Sequence, residues 1–244
     1  MGALGALVQG TLREAKAAAR ITRDGVLYPF LNGREVTDPN AETNVETIVL
    51  LYGIATTKGA MCSLAQHLET EFPRDFNVQL VGYNNSLSYS QMENQVNAQL
   101  DEIYLTNGKT ILIEYSLGAN FAVKYSRREP ERTPEVIGIA PATNGARVSH
   151  LLPKRIAPEL VVRTRKDSED IAEFHPSTLP NEVRYFFIRA AEDTIVCKSR
   201  GSNGQFPNVS YLVLEKAGHW SVLNDPRCYD AVRARLMTCL DNSR

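Results

Sequence analysis

The sequence predicts an α/β fold in which a doubly wound, mostly parallel sheet carries helices on both faces. Apolar runs of strand length alternate with amphipathic stretches of helix length from residue 46 onward, which is typical of consecutive strand–helix–strand units. The runs are continuously apolar, as in 47–51, so both faces of the sheet should be covered. With 244 residues, the chain has the length of one α/β domain.

Strand and helix candidates follow one another regularly along the chain. Runs rich in Val, Ile, Leu and Tyr predict strands at 46–52, 77–83, 109–115, 135–140, 183–190 and 209–215. Apolar residues repeat at helical spacing in 59–72 and 88–105, a third helix should begin at Ser116, and a last one should follow Pro226. Residues 146–182 break this rhythm, because they are too long for a simple crossover.

We expect the first 45 residues to form an N-terminal segment ahead of an α/β domain that spans 46–244. Apolar residues at helical spacing predict a helix over 4–20, which either docks on the domain or contacts a lipid surface. Residues 21–45 contain Asp-Gly and Asn-Gly turn signals, and we expect an extended segment or a short hairpin there.

Composition excludes several classes of function. The chain is 43% hydrophobic and 23% charged, and its formal net charge of −1 gives no electrostatic basis for binding nucleic acid. No apolar run approaches the length of about 20 residues that a membrane span needs. The start lacks the basic region of a signal peptide, so we expect a cytoplasmic protein. The 4 cysteines form no C-x-x-C pair and no metal-like pairing with histidine, which predicts buried free thiols and no metal site. No motif implies an organic cofactor. No motif specifies an oligomeric state.

The most informative segment contains a serine directly after the third strand candidate. The β-rich run 110–113 leads through Glu114 and Tyr115 to Ser116, and Leu117 and Gly118 open a helix-compatible stretch. In such a strand–turn–helix context a serine projects from the top of a sheet as a nucleophile. The segment resembles the G-x-S-x-G nucleophile elbow of the α/β-hydrolase family, with a glutamate in place of the first glycine.

Candidates for an acid and a base follow in the chain order of that family, which is nucleophile, acid, histidine. Asp193 comes just after the fifth strand candidate, with Glu192 as its competitor for the acid role, and His219 follows Gly218 after the sixth. The resemblance extends over roughly residues 46 to 240. It implies that Ser116 is the nucleophile, that His219 is the base and that Asp193 orients it.

The resemblance also implies an oxyanion hole and a lid. Its two backbone N–H donors would be those of Leu117 and Ile54, while Tyr52 takes the place of a family histidine beside the substrate. Residues 146–182 lie where the family often inserts a lid. Glu114 should be buried beneath the elbow, and because burial raises the pKa of a carboxyl group, it is either protonated or paired with a nearby hydroxyl such as that of Tyr52. The alternative is that the elbow has been altered and activity has been lost.

These expectations combine into one main hypothesis and one alternative. The main hypothesis is a serine hydrolase, resembling small lipases and esterases, that cleaves a small-molecule carboxylic ester through an acyl-Ser116 intermediate. Thioesters and amides can use the same groups. An apolar acyl group is favoured, because Ile54, Leu117, Leu151 and Leu152 could line the site. The alternative is a catalytically impaired, hydrolase-like binding protein, since a fold does not by itself imply a function.

Overall fold

A six-stranded parallel sheet forms the centre of the molecule. The computed structural model describes residues 13–19, 46–54, 56, 58–72, 75–150, 159–197 and 206–243. The strands are β1 (Glu46–Leu51), β2 (Phe76–Val81), β3 (Thr110–Tyr115), β4 (Glu135–Ile139), β5 (Arg184–Ala190) and β6 (Val209–Leu214). Their order is β2-β1-β3-β4-β5-β6, and every neighbouring pair is parallel. The predicted fold class is confirmed, and each strand lies close to its predicted bounds.

Helices cover both faces of the sheet. They are α1 (residues 13–19), α2 (Cys62–Glu71), α3 (Tyr89–Asn107), α4 (Gly118–Arg128), α5 (Glu159–Arg163), α6 (Glu169–Ala172) and α7 (Pro226–Ser243). The chain moves one way across the sheet from β1 to β2 and the other way through the later strands. Right-handed crossovers therefore place α2 on one face and α3 to α6 on the other. Helix α7 packs against α2 and completes the first face.

Particular side chains explain where α3 begins and how α7 is attached to the sheet. Helix α3 begins after Ser88, whose side chain and that of Gln91 form a capping box. Glu135, at the start of β4, is fully buried and bonds Arg184 of β5 at 2.7 Å and Arg235 of α7 at 2.5 Å. The Glu135 carboxylate links helix α7 to the sheet. In the chain, α7 comes after the loop that contains His219.

The described part of the predicted lid packs on the helical layer. Ser90 of α3 donates a 3.0 Å hydrogen bond to Glu159 of α5, and Lys124 of α4 lies 2.6 Å from Asp170 of α6. Ile171 and Phe174 belong to the hydrophobic core. The lid is not confirmed, because residues 159–182 form part of the crossover from β4 to β5, and Leu151 and Leu152 lie outside the described residues.

Two further predictions fall mainly outside the described residues. These are the extended segment at 21–45 and, apart from α1, the surface helix at 4–20. Among the helices that the structure describes, none combines the length and the apolar character needed to cross a bilayer.

Candidate active site

Ser116 stands at a sharp turn between β3 and α4. Its φ of 55° lies in the left-handed region, which is unusual for a residue other than glycine. Three backbone hydrogen bonds hold this conformation. The Ser116 N–H donates to the carbonyl oxygen of Ile139 at 3.0 Å, and its own carbonyl accepts from Ala142 at 3.0 Å and from Ala119 at 3.2 Å. Because strain of this kind persists only where the surroundings impose it, the turn has the geometry of a nucleophile elbow.

Two glycines allow the chain to pass close to this turn. A Cβ atom on Gly118 would lie 2.7 Å from the carbonyl oxygen of Tyr52, and one on Gly53 would lie 2.7 Å from the Cβ atom of Ser116. Real Cβ atoms do not approach other atoms so closely. The end of β1, the elbow and the start of α4 can therefore meet only because both positions lack side chains.

The structure brings Ser116, His219 and Asp193 into one hydrogen-bonded chain. The Oγ atom of Ser116 lies 2.9 Å from Nε2 of His219, and Nδ1 of His219 lies 2.8 Å from Oδ2 of Asp193. All three side chains are buried, and each follows the carboxyl end of a strand, namely β3, β5 or β6. Parallel strands deliver such residues to one edge of the sheet, where ligands bind in open α/β folds.

Asp193 is held as an ionised hydrogen-bond acceptor. Its second oxygen, Oδ1, accepts the backbone N–H groups of Ile195 and Val196, each at 2.8 Å. Burial raises the pKa of Asp193, but the hydrogen bond and charge of His219, with these two N–H groups, outweigh burial and leave the pKa below its usual value. Its competitor Glu192 is half exposed and instead pairs with Arg13 at 2.6 Å. The structure therefore places Asp193, and not Glu192, against the histidine.

Two residues that sequence reasoning missed hold the loop of His219. The hydroxyl of Tyr115 donates to the carbonyl oxygen of His219 at 3.0 Å, and burial raises the pKa of that hydroxyl well above its usual value, so it remains a donor. Glu14 of α1 accepts hydrogen bonds from the backbone N–H groups of Trp220 and Ser221. Tyr115 could have been proposed from the sequence because it directly precedes Ser116, whereas no local sequence pattern indicates the role of Glu14.

The expected oxyanion donors flank the serine in the chain and in space. Leu117 follows Ser116 and directly precedes α4, whose N-terminal end carries a partial positive charge. Ile54 follows Gly53, the residue that packs against the Ser116 side chain. The oxyanion-hole roles of Leu117 and Ile54 stay predictions that this arrangement suits.

Tyr52, which we expected to bind substrate, makes its described contacts with Tyr83. It is buried and stacks on Tyr83 with ring centroids 4.8 Å apart. Its hydroxyl donates to the carbonyl oxygen of Tyr83 and accepts the Tyr83 N–H at 2.9 Å. A phenol whose donor and acceptor are both used by the backbone serves to fix the loops after β1 and β2. We therefore assign Tyr52 to the scaffold of the site.

Glu114 is fully buried beneath the elbow, as expected, and the Tyr52 hydroxyl does not pair with it. Among the described residues, neither of its carboxyl oxygens has a hydrogen-bond partner, and the Tyr52 hydroxyl is turned to Tyr83. Burial raises the pKa of Glu114 well above its usual value, and a weaker opposing contribution comes from its own backbone. Burial therefore favours the protonated, uncharged form of this side chain.

The described residues contain no group of three His, Cys, Asp or Glu side chains placed to hold a metal ion. What the arrangement offers chemically is a serine hydroxyl within reach of an imidazole whose other nitrogen is oriented by a carboxylate. Such a constellation removes the proton from the serine as it attacks an electrophilic carbon.

Comparisons with known proteins found similarity in three-dimensional structure but no matching family model or curated sequence. No protein-family model matches the chain, and no curated protein sequence matches it. Solved structures do resemble it. One is from work on carboxylesterases of the thaumarchaeon Nitrososphaera gargenis, with 12% identity, a TM-score of 0.63, and coverage of 82% of this chain and 92% of that one. Another is Est1E from Butyrivibrio proteoclasticus, with 10% identity, a TM-score of 0.65, and coverage of 81% and 89%. A third is from work on the metagenome-derived lipolytic enzymes LipS and LipT, with 16% identity, a TM-score of 0.60, and coverage of 79% and 93%.

The chain has the α/β-hydrolase fold. Its parallel sheet and its serine elbow define that fold, and the similarity to these solved structures extends over most of both chains. Identities of 10–16% carry the fold and not the reaction.

Proposed function

We propose that this protein is a serine hydrolase that cleaves carboxylic esters of small molecules through an acyl intermediate on Ser116. The observation that carries the proposal is the pair of hydrogen bonds, 2.9 Å and 2.8 Å long, that link Ser116 to His219 and His219 to Asp193. These bonds occur at a strained elbow, and Gly53 beside it has no side chain to crowd the Ser116 Oγ atom. Structural neighbours described as carboxylesterases and lipolytic enzymes support the same reaction class.

In the acylation step, the Ser116 oxygen attacks the carbonyl carbon of the ester while Nε2 of His219 takes the hydroxyl proton. Asp193 fixes the tautomer with a proton on Nδ1 and stabilises the imidazolium that forms. The N–H groups of Leu117 and Ile54 would bind the negative oxygen of the tetrahedral intermediate. Collapse of that intermediate breaks the ester bond, and His219 returns the proton to the departing alcohol.

Deacylation repeats these steps with water. His219 removes a proton from a water molecule as the water oxygen attacks the acyl carbon, and it then protonates the Ser116 oxygen as the carboxylic acid leaves. Every proton shuttles through one imidazole, so no metal or redox group takes part in the scheme. Thioesters and amides follow the same path with a different leaving group.

An apolar acyl group suits the surroundings of the serine. Leu117 and the partly buried Ile54 flank the elbow, and the half-buried indole of Trp220 lies edge-on to the His219 ring with centroids 5.5 Å apart. Sites that bind small substrates combine such apolar walls with a few polar groups that fix orientation. We therefore propose esters of apolar acids as the substrate class.

A non-catalytic binding protein is the second candidate, and Glu114 is the observation that favours it. The elbow of the family has a small residue at this position, whereas the carboxyl group here is buried without a partner. The intact chain of Ser116, His219 and Asp193 argues against this candidate, because a site that only binds has no need to align a base with a nucleophile.

Labelling with a fluorophosphonate probe tests the proposal, since such probes react covalently with an activated serine. We expect the wild-type protein to be labelled and to hydrolyse p-nitrophenyl butyrate, and Ser116→Ala to do neither while remaining folded by circular dichroism. Ser86→Ala, at an exposed loop serine, is the matched control and should behave as wild type. A folded wild-type protein that is neither labelled nor active would favour the binding protein, and undiminished labelling of Ser116→Ala would exclude this nucleophile.

A further inference from the structure

Helix α1 contacts the loop of the catalytic base through one carboxylate. Oε2 of Glu14 accepts the backbone N–H of Trp220 at 2.9 Å, and Oε1 accepts that of Ser221 at 3.2 Å. These are the two N–H groups that directly follow His219 in the chain. A carboxylate that accepts two amide protons forms charge-assisted hydrogen bonds, which are stronger than bonds between neutral groups.

The loop is shaped to receive this carboxylate. Gly218 lies immediately before His219, and a Cβ atom there would collide with the carboxyl group of Glu14. The Gly218 N–H donates to the Ser221 hydroxyl at 2.9 Å, which closes the turn around the histidine. A glycine is thus needed at 218 as long as Glu14 occupies its place, so the contact and the local sequence of the loop agree.

The other described contacts of the His219 loop involve different atoms from those that Glu14 binds. Asp193 binds the imidazole, and Tyr115 binds the carbonyl oxygen of the same residue. The turn after the histidine lies between β6 and α7, where Glu14 accepts its next two N–H groups. Loss of the carboxylate would free these donors and let the imidazole drift from the serine, and misplacement by about 1 Å can cost about a hundredfold in rate.

We propose that Glu14 is a positioning residue for the catalytic base, so that helix α1 completes the active site from outside the α/β domain. This inference rests on the proposed hydrolase function. Glu14 acts through the backbone of the loop and not on the substrate. Its removal should therefore lower kcat and leave KM nearly unchanged.

The test compares Glu14→Ala and Glu14→Gln with wild type and with Lys16→Ala, a control on the exposed side of the same helix. Glutamine keeps one acceptor oxygen but presents an NH₂ group to the other N–H, so it should retain part of the function. We expect kcat for p-nitrophenyl butyrate and the rate of fluorophosphonate labelling to fall about ten- to a hundredfold in Glu14→Ala. The loss should be smaller in Glu14→Gln, KM should change less than about twofold, and Lys16→Ala should match wild type.

A readout that does not depend on turnover separates this proposal from the proposed function. The proton on Nδ1 of His219, hydrogen-bonded to Asp193, gives a downfield proton resonance that should broaden or shift in Glu14→Ala and persist in Lys16→Ala. If wild type shows neither labelling nor turnover, the hydrolase function fails, and the resonance alone still decides whether Glu14 positions the imidazole. An unchanged resonance, or a kcat within about threefold of wild type in folded Glu14→Ala, would overturn the positioning role.

Discussion

Replacing Glu114 with glutamine should raise the free energy of unfolding at neutral pH, and the gain should disappear in acid. The native state keeps a proton on this buried carboxyl group, because burial raises its pKa well above the ordinary value of 4.5, whereas the unfolded chain releases the proton near that value. The native state then binds more protons than the unfolded state, so the stability of the wild-type protein falls as pH rises through this window. Glutamine has the same shape and cannot ionise.

The magnitude follows from proton linkage. Each pH unit between the unfolded and the native pKa should move the stability difference by about 1.4 kcal/mol in favour of the glutamine variant. Below pH 4.5, where both states of the wild-type protein are protonated, the two proteins should differ only by a constant offset. Above the raised native pKa, the difference should level off.

Urea unfolding monitored by circular dichroism at a series of pH values measures this difference. Glu102→Gln serves as the matched control, because Glu102 is exposed on α3, and its difference from wild type should stay flat. A constant difference between wild type and Glu114→Gln across pH 4 to 8 would refute the reasoning, because it would mean that Glu114 is ionised and paired in the native state. Both variants should keep their esterase activity, since no step of acyl transfer uses this carboxyl group.

Two further predictions concern the acid and the elbow. Asp193→Asn should lower kcat for p-nitrophenyl butyrate by about 10⁴-fold, as a misdirected histidine tautomer does in serine proteases. Glu192→Gln should leave kcat nearly unchanged, and the reverse order of the two variants would move the acid role to Glu192. Gly118→Ala should destabilise the fold by about 1–3 kcal/mol in urea unfolding, because the new methyl group would lie 2.7 Å from a backbone carbonyl oxygen. If Gly118→Ala were as stable as wild type, the turn at Ser116 would have room for the added methyl group.

The fold was predictable because a parallel sheet buried on both faces requires continuous apolar strands. The run at 110–115 is such a strand, and β3 is buried along its whole length. The Ser116, Asp193 and His219 candidates could be placed together for a related reason, since parallel strands end at the same edge of the sheet. Sequence distance therefore did not obscure their proximity.

Sequence reasoning was incomplete where tertiary contacts decide a role. Tyr52 was expected to bind substrate, but its hydroxyl forms hydrogen bonds with the backbone of Tyr83, a partner 31 positions away that no local pattern reveals. Glu14 was missed because an acidic residue on a short helix gives no indication of where that helix docks. The lid over 146–182 stays a prediction, because length does not specify where a segment packs, and only the contacts of residues 159–182 with α3 and α4 are described.

The contacts that close this site join positions far apart along the chain. The serine and histidine are separated by 103 positions, and Glu14 and Trp220 by 206. Such long loops must close before their contacts can contribute, which makes them late events in folding. A partly folded chain can form its helices, and even the elbow, without a base beside the serine. Hydrolytic competence would then mark completion of the tertiary structure, because the histidine enters the site only with the last strand and the loop after it.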